Sequence, residues 1–286
     1  MRPVRLRSGR EKTLIGEALR EFYAHKPRGY DLLNRPQAEY DAYAAVVMRS
    51  GGMGGRVLDF GCGTWRSPLT LAEAGARSVV GCDSFSPAEL DEAGERLDTR
   101  GASLVSYQGG RLPFPDGCFD VVGSLCVLEH TLDVEGTLHE MDRVLRPGGT
   151  CIVMGPNWAG PNNPVRGLLV TLIERRRYWQ YETPLDALLG IGRSLLWHLE
   201  VSLRPVPVFL FVVPRMKDGA IFFETGDDDC VHLSHPLSYR RWFRMRGYRL
   251  DLFNRGAGRT GAARLYNRLL PSLATTNVIA ARKGGG

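Results

Sequence analysis

The chain has 286 residues, 43% of them hydrophobic and 24% charged, with a net charge of +6. That balance supports a full apolar core and excludes a disordered or fibrous protein, and the length suits one large α/β domain with an insertion better than two independent domains. The positive excess favours acidic partners such as phosphates, anionic lipid or nucleic acid, but it is modest for this length, the arginines are dispersed, and no nucleic-acid-binding module is recognisable.

In chain order, residues 1–10 read as a basic arm with no apolar stretch behind it, which argues against a signal peptide. Residues 11–25 and 36–49 carry helical periodicity, and the breaker Gly51-Gly52-Met53-Gly54-Gly55 ends the second. Arg56–Phe60 is a short apolar run suited to a buried parallel strand. A helix over Ser67–Ala74, a strand over Ser78–Cys82, a helix over Pro87–Leu97 and a strand over Ser103–Tyr107 follow. The loop Gly109 to Gly117 leads into a strand at Phe119–Leu125. A helix at Val134–Leu145, stopped by Pro147-Gly148-Gly149, precedes a fifth strand at Thr150–Met154. The alternation implies a parallel sheet with right-handed crossovers. It breaks at residues 156–235, which are rich in Pro, Arg and large apolar groups. It resumes with a helix at Pro236–Arg246, a strand at Tyr248–Phe253, a short helix at Ala262–Leu270 and a last strand at Thr276–Ala281. The expected division is an N-terminal region (1–50) and a sheet domain (51–286) with 156–235 inserted after the fifth strand.

The six cysteines form no CxxC pair and mostly sit in strand-like apolar runs, where a thiol acts as a small hydrophobe; this fits a reducing compartment. The longest charge-free apolar run, Pro205–Pro214, is too short to span a bilayer. The expectation is a cytoplasmic protein, membrane-peripheral at most, with contact through 165–213.

The most informative stretch is Val57–Trp65, a buried strand running into a turn with Gly61 and Gly63. Glycines there permit a sharp turn and close ligand approach at the carboxyl end of a strand. The spacing is not a dinucleotide fingerprint, since Arg66 occupies the last small position, and no Walker lysine follows. Asp59 just before the turn would repel a pyrophosphate but suits a ligand bearing an ammonium and a positive centre.

These segments resemble the class I S-adenosylmethionine-dependent methyltransferases, and in particular the type 11 methyltransferase group. VLDFGCGT (57–64) is similar to the family's first motif, VVGCD (79–83) to its second strand with a terminal acid, LPFPDGCFDVV (112–122) to its fourth strand and preceding loop, and LEHTLD and EMDRVLRPGG, within 128–149, to the following helix and stop. The resemblance covers about residues 55–155. It implies a Rossmann-like doubly wound sheet of seven strands, mostly parallel with an antiparallel C-terminal strand and helices on both faces, with S-adenosyl-L-methionine as cofactor. It places Asp59, Gly61, Cys62 and Gly63 at the methionine part and Asp83 at the ribose hydroxyls, where a carboxylate's acceptor capacity is well used. Gln108 and Gly109 would lie near the adenine, where the family often has an acid, and Ser124, Leu125 and Cys126 would border the methyl group. Trp65 stands where a third glycine is frequent, as a bulkier loop or an indole wall.

Methyl transfer from a sulfonium needs alignment and exclusion of water, and a hydroxyl acceptor also benefits from a general base. The candidates are His130, beside Glu129, and His232 and His235 in GDDDCVHLSHP (226–236), a segment that could fold over the sheet's carboxyl edge. No metal site is expected, the acidic run reading as a solvated loop. Residues 156–235 would shape the acceptor pocket as a lid, a substrate-binding surface or a membrane-facing surface. The acceptor class is a small molecule, lipid or saccharide. The competing readings are a non-catalytic Rossmann-like partner subunit and an RNA-modifying methyltransferase; the retained Asp59, Gly61, Gly63 and Asp83 disfavour the former, and the lack of an Asn/Asp-Pro-Pro-aromatic tetrapeptide disfavours many enzymes of the latter kind.

Overall fold

Successive side chains of a strand point to opposite faces, so a sheet covered on both sides needs apolar residues at every position. The central strands meet that requirement. The computed structural model, which describes residues 9–25, 35–97, 100–223, 227–254 and 260–285, opens with helices α1 (Gly9–Ala24) and α2 (Gln37–Val47). The chain then alternates β1 (Arg56–Phe60), α3 (Arg66–Glu73), β2 (Ser78–Asp83), α4 (Pro87–Leu97), β3 (Ala102–Ser106), β4 (Phe119–Leu125), α5 (Val134–Val144) and β5 (Leu145–Pro156). Leu58, Phe60, Val80, Cys82, Val122, Cys151 and Val153 face one core, and Val57, Val79, Val121, Ile152 and Met154 face the other. Helix α5 closes the first core with Leu138, Met141 and Val144, while α2, α3 and α4 close the second with Tyr43, Val47, Leu71 and Leu97. The basic arm expected over 1–10 falls almost wholly outside the described residues.

After β5 come α6 (Asn162–Leu169), α7 (Pro184–Leu203), and the short strands β6 (Leu210–Phe211), β7 (Met216–Lys217), β8 (Ala220–Ile221) and β9 (His232–Leu233). The chain ends with α8 (Pro236–Met245), β10 (Arg249–Phe253), α9 (Gly261–Leu269) and β11 (Thr276–Arg282). The seven-stranded sheet runs β10-β11-β5-β4-β1-β2-β3. β11 is antiparallel to both neighbours, and the β1, β2, β3, β4 and β5 pairings are parallel. This is the expected fold class. The order reverses between β1 and β4, and the crevice at such a switch point is where open α/β sheets bind ligands.

Two details depart from the sequence expectation. β5 begins at Leu145 and runs through Pro147-Gly148-Gly149, pairing Leu145 with Phe119 before an irregularity restores the ladder at Thr150 and Val121. Residues 156–235 hold more regular structure than their composition suggested. Helix α7 starts at a capping box in which Thr183 accepts from the Asp186 amide (3.1 Å) and Asp186 accepts from the Thr183 amide (3.0 Å), with Pro184 at the first helical position. β6 pairs with β9, and the β7–β8 hairpin packs under α1, whose Ile15 and Leu19 meet Val231, Met216 and Ile221. α1 and the segment before α8 thus lie together above the carboxyl edge of the sheet.

Candidate functional site

A cleft of about 270 Å³ opens at the carboxyl ends of β1, β2 and β4. Its floor is the turn after β1. Gly61 adopts φ 70° and Gly63 φ 68°, a left-handed conformation that side chains disfavour. A Cβ at Gly61 would lie 2.3 Å from Val127 Cγ2, whereas one at Gly63 would meet nothing within 4 Å. The first glycine is required by packing; the second leaves space open. The Gly61 amide donates to the Cys82 carbonyl (2.7 Å), tying the turn to β2.

Two carboxylates frame this turn. Asp83 accepts from the Gly63 amide (2.7 Å) and from the Ser84 amide (2.6 Å), one bond per oxygen, which leaves each oxygen further acceptor capacity. Asp59 is buried, takes one hydrogen bond from the Tyr43 hydroxyl (3.0 Å), and keeps Oδ2 unpartnered. Burial pushes its carboxyl up to about 7, with the nearby Ser67 hydroxyl and the Tyr43 bond acting against it. An incoming cation would satisfy the orphaned oxygen and hold the group ionised. Tyr43 reaches Asp59 across β4 because Gly123 has no side chain: a Cβ there would clash with the Tyr43 hydroxyl.

Of the expected cofactor residues, Asp59, Gly61, Cys62, Gly63, Asp83 and Leu125 all line the cleft. Gln108 and Gly109 stand exposed just outside it, where Gln108 accepts from the Ser84 hydroxyl (3.4 Å). Ser124 is buried in β4 and does not line the cleft; the adjoining positions Leu125 and Cys126 do, the latter at φ 55°. A non-glycine residue in this conformation costs about 1–3 kcal/mol and is characteristic of ligand-contacting turns. Trp65 is no wall of the cleft. It packs on the α2–α4 core with the Arg96 guanidinium over its ring.

The opposite wall is charged. His130, on the single turn after β4, pairs with Asp229 (Nδ1 to Oδ2, 3.1 Å) and lies 3.7 Å from Asp227. Asp229 also accepts from the Tyr23 hydroxyl of α1 (2.6 Å). Burial opposes the imidazolium, but Asp229, Glu129 and Asp227 outweigh it and push His130 up to about 10. Burial likewise opposes the Asp229 charge, and His130 and Tyr23 overcome it, holding that carboxyl down at about 2. Glu129, buried behind His130, is raised to about 7 by burial. Arg35 and Tyr40 complete this wall from the chain entering α2, Arg35 keeping its charge despite burial beside Cys126, Glu129 and Asp227. Donor atoms of Glu129, His130 and Asp227 lie within 4.8 Å of one another, a spacing a cation could bridge. In this structure His130 is paired with Asp229 through Nδ1, and these side chains form an ion-pair network.

The other two candidate bases are elsewhere. His232 is buried in β9, with Nδ1 on the Leu210 carbonyl (3.0 Å) and the ring against Phe209 and Tyr239. His235 caps α8, its Nδ1 accepting from the Leu237 amide (3.2 Å) and its Nε2 meeting His198 (3.1 Å). Burial pushes them down to about 4 and about 3, so both are neutral structural groups. Residues 227–236 do fold over the sheet edge, but they offer Asp227 and Asp229 to the cleft rather than their histidines. Residues 227–229 form a turn, closed by the Cys230 amide on the Asp227 carbonyl (3.1 Å), that sets Asp227 and Asp229 on the cleft and Asp228 against Arg177; no strand or helix period marks it in the sequence.

Residues 58–153 match the family model described as a methyltransferase domain. A demethylmenaquinone methyltransferase of Tropheryma whipplei is 33% identical over 139 residues, 47% of this chain and 57% of that protein. One of Beutenbergia cavernae is 34% identical over 169 residues, 58% of this chain and 65% of that protein. The chain thus spans a little over half the length of the first of these relatives. Among solved structures, the 1,6-didemethyltoxoflavin-N1-methyltransferase of Burkholderia thailandensis, with bound 1,6-didemethyltoxoflavin and S-adenosylhomocysteine, superposes with a TM-score of 0.55 at 14% identity, over 98% of this chain and 92% of that one. At that identity the likeness concerns the fold alone. The match over 58–153, together with the sheet order and the glycine turn after β1, supports the resemblance to the class I S-adenosylmethionine-dependent methyltransferases.

Proposed function

We propose that the protein binds S-adenosyl-L-methionine at the β1 and β2 turns and transfers its methyl group to a small-molecule acceptor held against the His130 wall. The observation that carries this reading is the buried, unpartnered Oδ2 of Asp59 beside the open face at Gly63. A buried carboxylate oxygen without a partner costs about 1–3 kcal/mol, and an ammonium would relieve it. Asp83 would take the ribose hydroxyls with the acceptor capacity left after its two amide bonds. When bound, the sulfonium supplies an electrophilic methyl group whose leaving group departs as a neutral thioether. The protein's part is then alignment, exclusion of water and control of charge on the acceptor.

His130 enters this scheme as a cationic donor rather than a base, because Asp229 already keeps it protonated. An imidazolium and the nearby Arg35 favour an acceptor that reacts as an anion, such as the phenolate or enolate of a hydroxylated ring. Relatives named for methylating demethylmenaquinone fit that class of acceptor. Residues 156–235 would cover the acceptor side, since Asp227 and Asp229 come from them.

The test is calorimetric titration with S-adenosylmethionine and S-adenosylhomocysteine, followed by methyl transfer from labelled cofactor to hydroxylated aromatic rings. Binding of both, with loss of both in Asp59→Ala, is the expected result. A folded protein that binds neither would end the enzyme reading.

A further inference from the structure

A helix on the surface of a globular protein ordinarily buries its large apolar residues and shows small or polar ones to water. Helix α7 does the reverse. Its buried positions are Ala187, Gly190, Ser194 and Val201. Its outer positions include Leu185, Leu188, Leu189, Leu195, Leu196, Leu199 and Leu203, each at least 52% exposed. The spacings of three and four residues set these leucines in one stripe along the helix, about 30 Å long at 1.5 Å per residue. The small inner face is a packing requirement. Tyr181 lies between α6 and α7, and a Cβ at Gly167 or Gly190 would come within 2.6 Å of its ring. Leu169, Leu172 and Ile173, at the end of α6 and just after it, are also exposed. Single exposed leucines are ordinary; a stripe of seven along one helix marks an interaction surface.

The charges beside the stripe decide the partner. Arg175 stands exposed in the connection between the helices and forms no salt bridge among the described residues. Helix α9, whose Tyr266 hydroxyl accepts from the Asn162 side-chain amide at the start of α6 (3.5 Å), exposes Arg264 and Arg268 beside Leu265 and Leu269 and carries no acid. Over residues 162–204 six arginines stand against four acids, and an apolar helix face in a region with excess arginine suits the interface of an anionic bilayer. A two-fold pairing of this face with a second copy would set those arginines against their own counterparts. No helix among the described residues is long and apolar enough to cross a membrane, so the surface would rest on the bilayer rather than span it.

We propose that the α6–α7 hairpin, with α9 beside it, docks the protein on an anionic lipid surface. This inference stands apart from the methyltransferase reading, because no residue of the stripe lines the cleft.

The test is sedimentation of the full chain with phosphatidylcholine vesicles, with and without phosphatidylglycerol, and sedimentation equilibrium of the protein alone. The wild type should pellet with the anionic vesicles and run alone as a monomer. The triple variant Leu188→Ser, Leu196→Ser, Leu199→Ser should lower the partition coefficient about tenfold or more with its melting temperature and cofactor titration unchanged. Arg264→Glu with Arg268→Glu should remove the preference for anionic over neutral vesicles. Three results would overturn the proposal: wild type left in the supernatant with both vesicles, undiminished binding by the leucine variant, or a dimer that the leucine variant dissociates. The last would assign the face to a second copy. Failure of the cofactor titration alone would remove the enzyme reading and leave the docking result intact.

Discussion

The two walls of the cleft are built in different ways. The wall bearing Asp59, Gly61, Gly63 and Asp83 comes from the ends of adjacent parallel strands, within 25 residues of sequence, and backbone hydrogen bonds hold its shape. The wall bearing Tyr23, Arg35, His130 and Asp229 is assembled from four distant parts of the chain, and salt bridges and a tyrosine hydroxyl join it. The first is rigid because the sheet is rigid. The second depends on paired charges that desolvation makes expensive to leave alone. A change on the first wall should therefore act on cofactor binding, and a change on the second on turnover.

The largest effect should come from Gly61→Ala. The new methyl group meets Val127 at 2.3 Å in a turn whose φ of 70° already disfavours it. Cofactor affinity should fall by about 100-fold or more, equivalent to about 2.7 kcal/mol, measured by calorimetry on protein whose circular dichroism is unchanged. Affinity within threefold of wild type would mean that the turn yields and the first wall is not rigid.

Next is Asp229→Asn, which takes from His130 the partner that holds its proton. His130 then loses the largest of the charges that oppose burial, with Glu129 and Asp227 remaining, and its imidazole should titrate lower than in the wild type, as read by NMR. Turnover should fall by about 10- to 100-fold with cofactor affinity within about twofold, the range seen when a charged donor is removed from a developing anion. Unchanged turnover would deny the second wall any part in the reaction. Tyr23→Phe is the milder form of the same test. It deletes one hydrogen bond to Asp229 and should cost a few-fold in turnover, in line with the about 0.5–1.5 kcal/mol of a single bond.

The same contrast explains what the sequence could tell. Strands, helices and the glycine turn of the first wall are local, so period, breakers and spacing mark them. Asp59 was legible as the acid just before the glycine turn, and Asp83 through the family resemblance of VVGCD. Tyr43, Tyr23 and Arg35 were not, because nothing local distinguishes a tyrosine that reaches a carboxylate 16 positions later from one that fills a core. In 226–236 the histidines drew attention as conventional bases, while burial turned them inward and left the aspartates on the cleft. Helix α7 is not legible as a helix because residues 156–235 show no clean strand–helix alternation, although membrane contact is expected through 165–213, which contains it.

The smallest effect on the cleft should come from the histidines that lie outside it. His235→Asn keeps an acceptor for the Leu237 amide, since asparagine is a good cap, and should leave turnover within about twofold of wild type. Its effect belongs to acid stability, and the sign follows from the direction of the shift. Burial first, with His198 and Arg241 adding to it, pushes His235 down to about 3, whereas the unfolded chain binds that proton near pH 6.5. Between those values the unfolded state holds more protons, so the stability contributed by the neutral imidazole is fully present above pH 6.5 and is lost as pH falls through the window. From pH 7 to pH 5 this one group should cost the wild type about 2 kcal/mol in urea unfolding. His235→Asn should lose that much less over the same interval. Equal losses in the two proteins would mean that His235 is not held neutral, and a fall in its turnover would bring it back into the reaction in which we propose a part for His130.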